Sequence, residues 1–333
     1  MENNLNYYIE KYFSEYLPKI KGVSRQTILS YRDTFKYLLQ YIKDNTKINI
    51  NNISLDDINY DLIIHFLDYL EENKKNSIST RNQRLAAIHS FYRFLQLREF
   101  SCYNVYSQIL TIPSKKTHKN TISYFSLDEI KILLNLPNVN IKYGFRDYTL
   151  LFFMYETGAR VSEVVNITRN KFYFSENNNY VVINGKGNKD RKIPITNNLV
   201  HILLKYFSSF NINDNDYLFF NKFKTKITRK GIEYILTKYV NICREIHPNK
   251  FNDKYSCHSM RHSRAMHLLE SGIDIIKIRD FLGHNSIITT EIYAKTNPVI
   301  KQKLISDYNK SLNISDKYTS KDKEDLLEYL NKL

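Results

Sequence analysis

Between residues 5 and 105 the apolar side chains fall three and four residues apart, and no stretch alternates with a period of two. That spacing lines one face of each successive helix, so this part of the chain must bury its apolar stripes helix against helix. Ser24 can cap a helix carrying Ile28, Tyr31, Phe35, Leu38, Leu39 and Ile42. Ser54 with Asp57 reads as a capping box ahead of Ile58, Leu62, Ile63, Phe66 and Leu70. Ser79 and Thr80 precede Leu85, Ile88, Phe91, Tyr92 and Leu95. With a further helix over residues 5–20, residues 1–105 are expected to form a bundle of about four helices.

The periodicity then breaks. TIPSKKTHKNTISYFS, residues 111–126, holds Pro113 and the lysines 115, 116 and 119, as an interdomain linker would. Ser126 with Glu129 opens a second domain as a capping box. Helices are expected over 126–136, 144–158, 161–167, 196–209, 230–246, 256–270 and 274–282, with Gly158, Gly272 and Gly283 as stops. Residues 180–183 and 191–195 flank GKGNKD and read as a β-hairpin. The fold class is therefore mainly α with a small β-sheet.

Charge narrows the partners. The chain carries a formal net charge of +15, of which residues 1–105 supply +2 and the remainder +13. A protein this basic ordinarily meets a polyanion, although a Lys- and Asn-rich composition also follows from base composition alone. No apolar run approaches the roughly 18 residues a membrane span needs, and the N-terminus lacks a secretory pattern. Three cysteines, 102, 243 and 257, show no metal or redox spacing and fit a reducing cytoplasm.

Several residues of the second domain can do chemistry. Arg160 follows Gly158, where the backbone turns and a planar guanidinium can meet a phosphate with two donors. Lys186 sits at the hairpin turn, where an ammonium can enter a DNA groove and donate a proton. His258 and Arg261 lie three apart and share a helix face. His258 and His262, four apart, have zinc-ligand spacing, but no acidic residue stands between them and Cys257 supplies no regular fourth ligand. His284 follows Gly283, and Tyr293 comes nine residues later. Taken singly these are ordinary residues: the chain has 27 tyrosines, most of them necessarily filler. Arg81 and Arg84 on the last helix of the bundle, Lys115, Lys116 and Lys119 in the linker, and Lys189 and Arg191 beside the hairpin turn are candidate DNA contacts.

The series GARVSE, GKGNKDR, HSMRH, LGH and a tyrosine nine residues on resembles the tyrosine recombinase (phage integrase) family, in its Xer-like branch. The resemblance implies a helical, SAM-like core-binding domain over residues 1–108 and a basic linker over 109–122. It further implies a catalytic domain over 123–298 and a tail, 299–333, exchanged between protomers, the whole closing as a clamp on DNA. It implies the catalytic set Arg160, Lys186, His258, Arg261, His284 and the nucleophile Tyr293, with Glu163 as a brace. The implied partner is double-stranded DNA bearing a specific recombination site, bound by a homotetramer on two sites or a heterotetramer with a paralogue. No cofactor, metal or membrane is implied, and the expected location is the cytoplasm. Ser263-Arg264-Ala265 departs from the more apolar sequence usual after the Arg-His pair. Two rivals share this chemistry or fold: a type IB topoisomerase, and a non-catalytic DNA-binding protein.

Overall fold

The computed structural model describes residues 5–50, 53–100, 102–117, 123–176, 178–185, 190–283, 328 and 331. The chain divides into two compact units, Met1–Asn120 and Thr121–Leu333. No helix among the described residues is long and apolar enough to cross a membrane.

The first unit is wholly helical apart from its connections. Among the described residues it holds α1 (Leu5–Lys11), α2 (Arg25–Asn45), α3 (Tyr60–Glu72), α4 (Ile78–Gln96) and α5 (Tyr103–Leu110). A π-helical stretch, Tyr12–Ile20, continues α1. Pro18 inside it has no N–H to give, and the Lys21 N–H closes the wider turn on the Tyr16 carbonyl at 2.8 Å. Ser24, Asn59 and Ser77 accept from backbone N–H groups at the starts of α2, α3 and α4. Tyr12 is fully buried between Phe35, Phe91 and Phe94, its ring 5.1 Å from that of Phe91.

Two expectations are corrected here, and one cap is added. Ser54 and Asp57 do bond, with the Ser54 N–H donating to Oδ2 at 2.8 Å, but they close a turn, and α3 starts at Tyr60 behind Asn59. The cap of α4 is Ser77, which places Ser79 and Thr80 inside its first turn. The bundle does not end at residue 108, because α5 runs to Leu110 and both Ile109 and Ile112 are buried in the core of this unit. The chain beyond is also held there. Arg81 donates to the Pro113 carbonyl, and Asn82 exchanges two hydrogen bonds with the Lys115 backbone at 2.7 and 3.0 Å.

The second unit begins on an anchor: the Phe125 N–H donates to the Ser263 hydroxyl at 2.8 Å. The helices are α6 (Leu127–Asn135), α7 (Lys142–Thr157), α8 (Val161–Asn166), α9 (Asn197–Phe210), α10 (Arg229–Ile246), α11 (Cys257–Glu270) and α12 (Ile275–Leu282). Ser126 and Glu129 form the expected capping box of α6. Three antiparallel strands, β1 (Phe172–Tyr173), β2 (Tyr180–Asn184) and β3 (Asp190–Pro194), lie in that order. The expected hairpin is thus β2–β3, and the two-residue β1 adds an edge the sequence did not announce. Val181 and Ile183 of β2 and Ile193 of β3 face inward with α7 residues Leu150, Phe153 and Met154 and α9 residues Leu203 and Tyr206, all nearly or fully buried. The helix α7 is central, and its C-terminal end delivers the chain to Arg160.

Candidate active site

α7 stops because Gly158 takes the left-handed conformation, φ 57°. A side chain there would meet Leu282 Cδ2 at 2.7 Å, so glycine is needed for space as well as for angle. Two residues on, Arg160 adopts extended backbone as the N-cap of α8. Its N–H donates to Glu163 Oε2 at 2.8 Å and its Nη1 donates to Oε1 at 2.9 Å. A further guanidinium nitrogen donates to the Gly283 carbonyl at 3.3 Å. The side chain is 29 % exposed, so it is within reach of a ligand.

Glu163 is the shared acceptor of this turn. Arg191, on β3, donates to both of its oxygens, at 3.0 and 2.7 Å. Burial pushes the Glu163 carboxyl up, but the hydrogen bond and charge of Arg191, then the contacts of Arg160, outweigh it and hold it below the usual range.

Arg261 reaches the same place from α11. It is 1 % exposed, donating through Nη1 to the Gly158 carbonyl at 2.7 Å and through Nη2 to the Leu282 carbonyl at 2.6 Å. It therefore joins the end of α7, which leads into Arg160, to the end of α12, which leads into Gly283 and His284. Gly283, like Gly158, is left-handed, at φ 66°.

His258 lies one turn before Arg261, at the exposed surface of α11. Partial desolvation by the surrounding protein, then the charges of Arg261 and Arg160, lower its pKa from the ordinary imidazole value. Among the described residues no group of three or more His, Cys, Asp or Glu is arranged to hold a metal ion.

The structure thus brings together Arg160, His258 and Arg261, with Glu163 between the elements. Lys186, His284 and Tyr293 lie outside the described residues, although β2, β3 and Gly283 lead directly to the first two. Of the expected DNA contacts, Lys119 and Lys189 also lie outside them. Lys116 is exposed. Lys115 is exposed too, but its ammonium pairs with Glu71 at 2.6 Å. Arg84 stacks on Tyr37 at 4.3 Å.

Two of the expected contacts are corrected. Arg81 is only 3 % exposed and pairs with Glu71 at 3.2 Å, so it braces the bundle from within. Arg191 is committed to Glu163, with 12 % of its side chain exposed. Its role as a partner of Glu163 was missed, yet a signal existed. Residues 191 and 193 share one face of β3, and Ile193 belongs to the core.

Two guanidiniums and an imidazole beside a turn held by a carboxylate form a cationic site of the kind that can receive an anionic group such as a phosphate. The chain belongs to the phage integrase family: the model for that family matches residues 123–299, and the model for its N-terminal SAM-like domain matches residues 9–99. It is 30 % identical to a putative integrase/recombinase, y4rC, of Sinorhizobium fredii, over 98 % of this chain and 97 % of that one. It is 31 % identical to the tyrosine recombinase XerD of Oceanobacillus iheyensis, over 92 % of this chain and 99 % of that one. Among solved structures, the XerH site-specific recombinase bound to palindromic difH substrate superposes with a TM-score of 0.67 at 20 % identity, covering 85 % of this chain and 80 % of that one. A lambda integrase dimer bound to a core site gives a TM-score of 0.63 at 14 % identity, covering 95 % of this chain and 80 % of that one. The fold is that of the tyrosine recombinases, and the chain is an enzyme of that class, one that cleaves and rejoins DNA.

Proposed function

We propose that this enzyme exchanges DNA strands at a specific site through a covalent 3′-phosphotyrosyl intermediate on Tyr293, without metal or ATP. The observation that carries the reading is the convergence of Arg160 and Arg261 on the Gly158 turn beside His258. A phosphodiester repels nucleophiles and gains charge on its non-bridging oxygens during attack. Arg160 and Arg261 offset that charge, which is the task a metal ion performs elsewhere. His258 takes the phenolic proton as the Tyr293 oxygen bonds to phosphorus, because a phenol of pKa about 10 needs an acceptor. The bond to the 5′ oxygen breaks, and Lys186 supplies the proton that completes the 5′-hydroxyl. His284 hydrogen-bonds the phosphate.

A 5′-hydroxyl from a second strand then attacks the phosphotyrosine and restores the tyrosine. One ester replaces another at each step, so no external energy source is required. The partner is duplex DNA, in keeping with the DNA bound in the structurally similar recombinases. Four protomers on two sites carry out the exchange, with the tail 299–333 passing between neighbours. Arg84, Lys115, Lys116, Lys119 and Lys189 remain the proposed backbone contacts.

The test is adduct trapping in EDTA on nicked duplexes from the DNA flanking the gene. A protein–DNA band that resists SDS and disappears in Tyr293→Phe is expected. A band that persists in that variant refutes the nucleophile assignment.

A further inference from the structure

Arg191 stands on the second residue of β3, directly opposite Ile183 on β2, and faces into the protein. Its two terminal nitrogens grip both oxygens of Glu163. Its aliphatic stem lies against Gly283, where a Cβ would stand 2.8 Å from Arg191 Cδ. One side chain on the strand that returns from the Lys186 turn therefore touches the brace of Arg160 and the residue before His284. A carboxylate paired with Arg160 alone would hold that guanidinium but also neutralise it. Two guanidiniums on one carboxylate leave the trio with one net positive charge for the phosphate.

We propose that Arg191 is a positioning residue for Arg160: it holds Glu163 from the far side, so that Glu163 orients Arg160 without cancelling its charge. The inference rests on the strand-transfer reading above. It replaces a DNA-contact role for Arg191 with an internal one.

The test measures the single-turnover rate of adduct formation at saturating protein, on a nicked duplex carrying a site recovered by adduct selection. Parent, R191Q, R191K and R191Q/E163Q are compared, with DNA affinity and melting temperature measured for each. R191Q is expected to lose about 10- to 100-fold in rate, as misplacement of a catalytic group by about 1 Å does, with affinity within about threefold of the parent. R191K keeps the charge but not the fork and is expected at least about threefold faster than R191Q. The double variant removes the uncompensated carboxylate and is expected to regain at least about threefold over R191Q, a non-additivity that independent defects do not give.

R191Q cleaving at the parent rate overturns the inference. So does a loss of affinity that accounts for the whole loss of rate, which marks a DNA contact, or a double variant no faster than R191Q. Should R191Q not melt cooperatively, R191K decides: slower than the parent at equal affinity supports the inference, and an unchanged rate overturns it. A parent that forms no adduct, or one that survives Tyr293→Phe, instead sinks the strand-transfer reading and this inference with it.

Discussion

The rings of His258 and His262 meet edge to face, their centroids 4.4 Å apart and their planes at 81°. Two imidazoles so close, next to Arg261, cannot both carry a proton cheaply. Burial, then His258 and Arg261, hold His262 down to about 4. His258 is lowered as well, by desolvation and by the two arginines. In its proposed role as proton acceptor it must be neutral, so the acid limb is expected below the ordinary imidazole value. Adduct formation should be flat between about pH 8 and 7 and should fall only below about pH 6.5. A decline already under way at neutral pH, followed in single-turnover assays, would contradict this.

Acid should also destabilise the fold through the half-buried His262 and the buried His267. His262 and His267 are both held down to about 4, His267 chiefly by burial. Each folded pKa is depressed, so between about 6.5 and about 4 the unfolded chain binds more protons. Their stabilising contribution is present above the unfolded value and is lost as pH falls through that window. Melting temperature should drop across it, with a shallower slope after His267→Phe.

Arg261→Ala should be costly twice. It leaves the Gly158 and Leu282 carbonyls without this donor in a buried setting, at about 2–4 kcal/mol in stability. It also removes the proposed transition-state donor, with an expected loss of at least ~10²-fold in cleavage. Denaturant melts and adduct rates measured below the transition separate the two losses.

Gly158→Ala should destabilise by about 1–2 kcal/mol, since the left-handed backbone disfavours a side chain. The new methyl group would also press on Leu282. Because Arg160 follows the same turn, cleavage should fall further than DNA affinity. An unchanged melting temperature would show that the turn relaxes freely.

Tyr293→Phe should abolish the adduct while leaving DNA affinity within about threefold, because a phenyl ring keeps the shape and loses only the nucleophile. An affinity loss beyond that range in a gel-shift titration would assign the hydroxyl a binding role.

The sequence made the helices legible where a cap and a period coincided, as at Ser24, Ser126 and Gly158. It misled where the same local chemistry serves another end: the Ser54 N–H and hydroxyl both donate to Asp57, the first as in a capping box, yet they close a turn. The short α5 carried too few apolar positions to declare a period. Arg160, His258 and Arg261 stand in motifs of fixed order, which is why the sequence singles them out together, and the structure places them near one another. Arg81 and Arg191 were misread as outward cations because their destination depends on Glu71 and Glu163, partners distant in sequence or on another element. A basic side chain does not announce which acid will claim it.

The place of Arg261 at the meeting of α7 and α12 has an electrostatic consequence. A helix end carries roughly half an elementary negative charge on its last carbonyls. Two such poles converge beside Gly158 and Gly283, where they would repel the DNA phosphate of the proposed reaction. By donating to the terminal carbonyls of both, Arg261 quiets the scaffold's own repulsion toward the substrate. A lysine there would bring the same charge on a single point and could not face both poles with a planar fork. The welcome this site gives an anion is therefore the remainder after two native negative ends have been silenced.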